Sequence, residues 1–112
     1  MHSNKELVGA STGLLLLSIL AREASYGYQI IRAINEEAEG LFEWQEGTVY
    51  PVLHKLEKAG LVRTQWQQAE TGRRRKYYYI TAKGRDALKD GARQWDGFHR
   101  VIARLAEGGS HA

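Results

Sequence analysis

The chain has 112 residues, no cysteine and one proline, and its 16 lysines and arginines against 13 acids give a net charge of +3. This length suits one small domain, and the absence of cysteine excludes a disulfide framework, a thiolate nucleophile and a cysteine-based zinc finger. Since a domain of this size buries only about 65% of its unfolded surface, we expect any large ligand site to be shared between subunits.

Two helices are predicted in the first third of the chain. Apolar residues recur every three or four positions over residues 7–21, which predicts an amphipathic helix that ends near Arg22. A second helix is predicted over residues 26–38, with Ser25 as its N-cap and Gly40 as its stop.

The first helix is not expected to be a membrane anchor or a secretion signal. Its run of four leucines at residues 14–17 is far shorter than the roughly 18 apolar residues that a membrane span needs. No small-residue cleavage pattern follows that run. We therefore expect a cytoplasmic protein that does not bind membranes.

A third helix and a hairpin follow in the middle of the chain. The helix is predicted over residues 47–59, because Pro51 is tolerated only in a first turn and Gly60 is a suitable stop. Alternating apolar and polar residues over 62–67, and a tyrosine-rich run over 75–81, predict two strands joined by a basic tip.

Thr81 is a suitable N-cap for a last helix that reaches about residue 105. The resulting order of helix, helix, helix, strand, strand, helix is typical of a winged helix-turn-helix. The predicted fold class is therefore mainly α with a β-hairpin. We expect residues 1–81 to form the DNA-binding domain, residues 82–107 a C-terminal dimerisation helix, and residues 108–112 a flexible tail.

The excess positive charge is concentrated on the third helix and the hairpin. Residues 45–81 hold seven lysines and arginines and three acids, a net charge of +4, which leaves −1 for the rest of the chain. A winged helix places these elements on DNA, where basic side chains bind phosphate in a salt-dependent way. The residues predicted to contact DNA are Tyr26, Tyr28, Gln29, Thr48, Tyr50, His54, Lys55, Arg73, Arg74, Arg75 and Lys76. Two alternatives stay open: the basic run is a solvated surface, and Tyr50 is a half-buried core ring.

The last helix carries an apolar seam with a seven-residue repeat. Leu88, Trp95 and Ile102 are one heptad apart, and Phe98 and Leu105 belong to a second row that also contains two glycines. In so small a domain the seam has little of its own chain left to cover it, which predicts a partner helix from a second copy. The alternative is that this helix packs on the first helix of its own chain.

Three stretches of the sequence carry a family resemblance. Residues 47–62 read GTVYPVLHKLEKAGLV, residues 72–84 read GRRRKYYYITAKG, and residues 26–28 read YGY. Together they resemble the motifs of PadR-type transcriptional regulators. With one C-terminal helix, the chain is similar to the short members of that family, which include multidrug-sensing repressors.

The resemblance implies a site for small molecules between subunits. In those repressors, a tryptophan of the last helix from each subunit sandwiches flat aromatic compounds, and Trp95 matches that tryptophan. His99 stands where some members have an acid. The predicted ligand-binding residues are Leu7, Ala10, Gly13, Leu14, Leu17, Gly91, Ala92, Trp95, Phe98 and His99.

The residues around Trp95 favour a cavity independently of the resemblance. Gly91 and Ala92 lie one turn before it and leave space beside its ring, and an indole face attracts flat or cationic compounds. Two alternatives stay open here as well. Trp95 is a plain interface side chain, or the glycines mark only a close approach of helices.

The chain is predicted to be a homodimeric repressor that a planar aromatic compound releases from a palindromic operator. The alternatives are a winged helix used for protein–protein contact and a DNA-binding protein without an effector. The four histidines have no metal-binding spacing, and no nucleophile–base pair or cofactor motif is present, so we expect no metal, no cofactor and no enzyme activity. Trp44 is expected to cap the helical core, and Trp66 is expected to brace the hairpin.

Overall fold

In the computed structural model, the backbone is described for residues 2–111 and the side chains for residues 11–108. Over this part of the chain there are four helices and three short strands. In chain order they are α1 (His2–Arg22), β1 (Ser25–Tyr26), α2 (Gly27–Ala38), α3 (Glu46–Lys58), β2 (Val62–Gln68), β3 (Arg74–Ile80) and α4 (Ala82–His111). The predicted class, mainly α with a β-hairpin, is confirmed.

Helix α1 is the centre of the core. Its Leu16 and Leu20 are almost fully buried, and they pack in one cluster with Ile30 of α2, Leu53 of α3 and Val62 of β2. Because α1 is apolar on two sides, it also makes contact with α4. The helix therefore lies between the other helices rather than on one face of them.

The connector between α2 and α3 is held by Asn35 and Trp44. The Asn35 amide donates to the Trp44 carbonyl at 2.9 Å and accepts from the Trp44 N–H at 2.8 Å. The Trp44 ring is 5% exposed and stacks on Phe42 with the ring centroids 4.7 Å apart. The expectation that Trp44 caps the core is confirmed.

The sheet is antiparallel, with the strand order β1-β3-β2. The predicted hairpin pairs Val62 with Ile80 at its base and Gln68 with Arg74 near its tip. The third strand, β1, is absent from the prediction, and the assignment of Ser25 as a helix N-cap is wrong. Ser25 pairs with β3, and its hydroxyl donates to the Glu23 carbonyl. Helix α2 therefore begins at Gly27, with Tyr26 as its N-cap, and not at Tyr26.

Helix α4 has 30 residues and extends well beyond the rest of the protein. The longest dimension of the chain is 64 Å, against 29 and 20 Å for the others. The helix continues to His111, through the segment that was expected to be a tail. Within the described residues, no helix is both long enough and apolar enough to cross a membrane.

Thr81 joins the ends of three elements. Its hydroxyl accepts the Gly84 N–H at 3.0 Å, as an N-cap of α4 should, and donates to the Gly60 carbonyl at 2.7 Å after α3. Its own N–H donates to the Leu61 carbonyl at 3.1 Å. One side chain thus links the exit of β3 to the end of α3 and the start of α4.

Replacing Thr81 by alanine should lower the free energy of unfolding by about 1–2 kcal/mol, because the helix cap is lost. Thr81→Ser keeps the hydroxyl and should stay close to the parent. Urea unfolding followed by far-ultraviolet circular dichroism measures both. Equal losses in the two variants would show that the methyl group, not the cap, stabilises this joint.

Candidate nucleic-acid interface

A groove of about 670 Å³ lies between the start of α2, the middle of α3 and the hairpin. Four consecutive cations of the hairpin and several aromatic rings meet in it. The lining residues are Tyr26, Gly27, Tyr28, Tyr50, Trp66, Arg73, Arg74, Arg75, Lys76 and Tyr78. The groove therefore combines positive charge with flat apolar surfaces, a combination suited to a phosphate backbone and its sugars.

One wall of the groove depends on the close approach of α2 and α3. Gly27 is the first residue of α2, and a Cβ there would overlap the Tyr50 hydroxyl and lie 2.6 Å from the ring carbon that bears it. Any other residue would push Tyr50 away. Glycine at this position thus lets the Tyr50 ring lie against α2 while 41% of that residue stays exposed.

Two hairpin arginines are stacked on aromatic rings. The Arg75 guanidinium lies 4.3 Å from the ring centroid of Tyr26, and the Arg74 guanidinium lies 5.3 Å from that of Trp66. These distances are in the range of cation–π attraction. Stacking on a ring face leaves the edge of a planar guanidinium available for hydrogen bonds to phosphate.

Glu57 connects α3 to the hairpin. The Thr64 hydroxyl donates to one of its carboxylate oxygens at 3.0 Å, and the Lys76 ammonium lies 3.8 Å from the other. Both charged side chains are about one-third exposed. The hairpin is thus anchored to the helix beside it, and the charge of Lys76 is partly balanced within the protein.

Two tyrosines of the groove have raised pKa values. Burial, and then the negative charge of Glu46, raise the pKa of Tyr50. Burial, and then the proximity of Tyr50 and Glu57, raise the pKa of Tyr78. Both hydroxyls therefore remain protonated, able to donate a hydrogen bond, at any pH near neutrality.

Most residues predicted to contact DNA line this groove, with four exceptions. Thr48, His54 and Lys55 are exposed on α3 but lie outside the groove. Gln29 is exposed at the start of α2, and its side chain accepts the Tyr26 N–H at 3.2 Å and so helps to cap that helix. The expected contact of Gln29 with the flanking backbone stays a prediction.

Sequence reasoning missed Trp66. It was expected to brace the hairpin, yet it is 56% exposed and lines the groove. Trp66 also contacts the other strand of the hairpin, since the Arg74 guanidinium of β3 lies over its ring with 5.3 Å to the centroid. The pairing of Trp66 with Lys76 in the basic strand was the signal that could have indicated its position.

The seam of α4 is a second surface, and its two halves differ. In the first half, a Cβ on Gly91 would lie 2.6 Å from a methyl of Leu14 in α1, so the helices touch there. In the second half, Phe98 is 59%, Ile102 50% and Leu105 73% exposed. The alternative of packing on the first helix thus fits the first half of the seam only.

A cavity of about 430 Å³ opens where the two halves of the seam meet. It is lined by Leu14, Gly91, Gln94, Trp95 and Phe98. The rings of Trp95 and Phe98 are perpendicular, with centroids 6.3 Å apart. Gln94 was not predicted, and its amide is a polar group beside an otherwise apolar wall.

Among the described residues, four others that were predicted to bind a ligand do not line this cavity. Leu17 is 3% exposed and belongs to the core, and Gly13 faces Val52 and Leu56 of α3, so their assignment to a ligand site is wrong for this surface. Ala92 and His99 are exposed on α4 but do not line the cavity. Leu7 and Ala10 lie outside the described side chains.

Comparison with known proteins identifies the family. The profile of the transcriptional regulator PadR-like family matches residues 16–90, which include the core, α3 and the whole hairpin. The chain belongs to the PadR-like family. It is accordingly a transcriptional regulator and not an enzyme.

Individual PadR-like relatives agree with this assignment. The chain is 31% identical over 81 residues to the transcriptional regulator YqjI of Escherichia coli, spanning 72% of this chain but 37% of YqjI. A transcriptional regulator structure from Clostridium thermocellum is 30% identical, with a TM-score of 0.80 over 88% of this chain and 96% of that one. A PadR family structure from Clostridium difficile is 32% identical, with a TM-score of 0.77 over 86% and 98%.

In this PadR-like regulator, Gly27→Ala should lower the free energy of unfolding by about 1–3 kcal/mol, the usual cost of overpacking. Gly47→Ala is the matched control, since a Cβ there meets nothing within 4 Å and alanine favours a helix by up to about 1 kcal/mol. Thermal and urea unfolding compare the two. A neutral Gly27→Ala would show that Tyr50 moves aside freely.

The raised tyrosine pKa values predict a loss of stability at alkaline pH. A tyrosine ordinarily titrates near pH 10, and the folded protein holds these two protons more tightly than the unfolded chain does. Their contribution is complete below about pH 10 and is lost as the pH rises through the folded-state pKa values.

A variant with Tyr50→Phe and Tyr78→Phe should therefore lose less stability between pH 9 and pH 11 than the parent. Tyr28→Phe, which removes an exposed hydroxyl, is the control and should follow the parent. Urea unfolding at several pH values measures the slopes. Identical slopes for all three proteins would contradict the effect of burial.

Proposed function

We propose that this regulator is a homodimeric repressor of a palindromic operator, and that a planar aromatic compound bound between the subunits releases it. The observation that carries the proposal is the groove between α2, α3 and the hairpin, in which four consecutive cations meet a wall of aromatic rings. The exposed seam of α4 supports the dimer, and the cavity beside Trp95 supports the effector.

In the proposed complex, α3 enters the major groove and the hairpin follows the sugar–phosphate backbone. Thr48, His54 and Lys55 occupy the exposed face of α3 and would read base edges or bind phosphates. The groove cations lie beside this face and would hold the flanking backbone. Tyr26 and Tyr28, at the N-terminus of α2, add hydroxyls where the helix dipole attracts phosphate.

The dimer would form through the second half of the α4 seam. Phe98, Ile102 and Leu105 are half-exposed or more, at heptad spacing, on a helix that extends away from its own core. A second copy of the same helix covers such a seam with matching side chains. Two-fold symmetry then requires two half-sites about one helical turn of DNA apart.

The effector would bind where the two halves of the seam meet. The Trp95 face and the edge of Phe98 provide stacking surfaces, and Gln94 adds a hydrogen-bonding group. A compound bound there would change the spacing of the two α3 helices. Coupling of this kind is typically worth about 1–3 kcal/mol, and DNA must weaken effector binding by the same factor.

Two other functions make different predictions. A winged helix used for protein–protein contact needs no run of four cations beside α3, so the groove favours DNA. A DNA-binding protein without an effector would have the same groove but no use for a cavity beside Trp95. Binding to duplex DNA separates the first alternative from our proposal, and binding of a flat compound separates the second.

The repressor proposal is tested by selecting binding sites from random-sequence duplexes and measuring shifts of the selected DNA. We expect palindromic sites, with an affinity that falls as salt rises by a log–log slope of about −0.9 for each phosphate neutralised. Ile102→Glu should give a monomer in sedimentation and lose the preference for two half-sites.

The control for that variant is Arg93→Glu, on the opposite face of α4, which should stay dimeric and bind the palindrome. Failure of the parent to shift any duplex at about 50 mM salt, where phosphate contacts are strong, would overturn the DNA-binding proposal. A parent monomer on single half-sites would overturn the dimer.

The effector site is tested by titrating the dimer with proflavine, a flat three-ring dye, and following tryptophan fluorescence. Trp95→Ala should weaken binding about tenfold or more, because a stacking surface is lost. Trp44→Phe changes a buried ring outside the cavity and should bind the dye like the parent. Equal binding by Trp95→Ala and the parent would remove the proposed site.

A further inference from the structure

The indole of Trp66 is largely exposed, whereas the tyrosines of the sheet are buried or half-buried. It alternates with Gln65, so it shares the inner face of the hairpin with Thr64 and with the buried Tyr78. Unlike Tyr78, it lies beyond the edge of the core, with 56% of its surface in solvent. Its indole opens into the groove beside α3.

The other aromatic residues of the sheet have partners within the protein. The edge of Tyr77 packs on Tyr26, with centroids 5.5 Å apart. Tyr79 lies under the Arg63 guanidinium at 4.3 Å, and its hydroxyl accepts a hydrogen bond from Gln67. The ring of Trp66 is met by the Arg74 guanidinium at 5.3 Å, and both of these residues are exposed.

We infer that Trp66 is a direct DNA contact, packing its indole against the deoxyribose of the backbone that the hairpin follows. Stacked on that indole, the Arg74 guanidinium would keep its N–H edge turned to the adjacent phosphate. The pair would thus read the sugar and the phosphate of one nucleotide together. This inference rests on the proposed binding of duplex DNA and names a contact within it.

The physical argument compares the free and bound states of the side chain. An exposed indole is unfavourable in water, and covering it on binding releases ordered water at little cost in side-chain entropy, since tryptophan has two rotatable bonds. A guanidinium already stacked loses less freedom when it binds phosphate. Both effects make a DNA contact through Trp66 and Arg74 more favourable than a contact through an arginine that lies on no ring.

The accessibility of Trp66 gives the sharpest test. In a variant with Trp44→Phe and Trp95→Phe, fluorescence reports Trp66 alone, and acrylamide quenching measures its exposure. Saturation with the selected duplex should reduce quenching at least about twofold, because an interface excludes the quencher. Unchanged quenching at saturation, with binding confirmed by a shift on the same sample, would overturn the inference.

Affinity measurements provide a second test in case the fluorescence variant does not fold. Trp66→Ala should weaken binding to the selected duplex about tenfold, within the range seen for lost stacking contacts, and Trp66→Phe should weaken it less. Gln65→Ala, the neighbouring exposed residue on the opposite face of β2, is the control and should bind like the parent. Equal binding by Trp66→Ala and Gln65→Ala would overturn the inference.

A double-mutant cycle tests the pairing with Arg74. Trp66→Ala combined with Arg74→Gln should weaken binding less than the product of the single effects, whereas Trp66→Ala combined with Arg73→Gln should give the full product. Full products in both cycles would overturn the paired contact. A parent that shifts no duplex would overturn the proposed function itself, and only a parent that binds allows these variants to be compared.

Discussion

The burial of α1 on two sides is the constraint on which the rest of the structure depends. Leu16 and Leu20 fill the core between α2, α3 and the sheet, and α1 contacts all of these elements as well as α4. Adjacent residues of α1 then face different partners, since Gly13 lies against α3 and Leu14 against α4. The groove is lined by α2, α3 and the hairpin, whereas the cavity beside Trp95 is lined by α1 and α4. A domain of this size has room for both only because α4 carries its site outside the core.

The positive charge of the chain is concentrated in the groove. The chain carries only +3, but its hairpin cations are held at one place by rings and by one carboxylate. Glu57 balances part of the charge of Lys76 and ties the hairpin to α3, while stacking orders Arg74 and Arg75 without neutralising them. One cation is thus anchored and two lie over rings, so the surface is partly arranged before any ligand arrives. Such preorganisation lowers the entropy cost of binding.

Local patterns in the sequence were sufficient for much of this fold. Helix ends are set by backbone chemistry, so Gly60 and Thr81 could be assigned before any contact was known, and the heptad rows of α4 indicated a seam. The hairpin followed from alternation and from the basic tip at residues 73–76. The family followed from motifs spread over most of the chain and was confirmed. These features depend on neighbours in sequence, within one turn or one strand pair.

Residue positions that depend on long-range packing could not be predicted from the sequence in the same way. The two-residue strand β1 exists because β3 offers an open edge, and that pairing deprives Ser25 of its role as a cap. Leu17 was assigned to a ligand site from the family resemblance, but its burial is decided by which side of α1 meets α2 and α3. The sequence by itself thus determined the elements, the location of the charge and the seam. Only the tertiary structure decided that Trp66 faces the groove and that half of the seam is covered, because these depend on where the core ends.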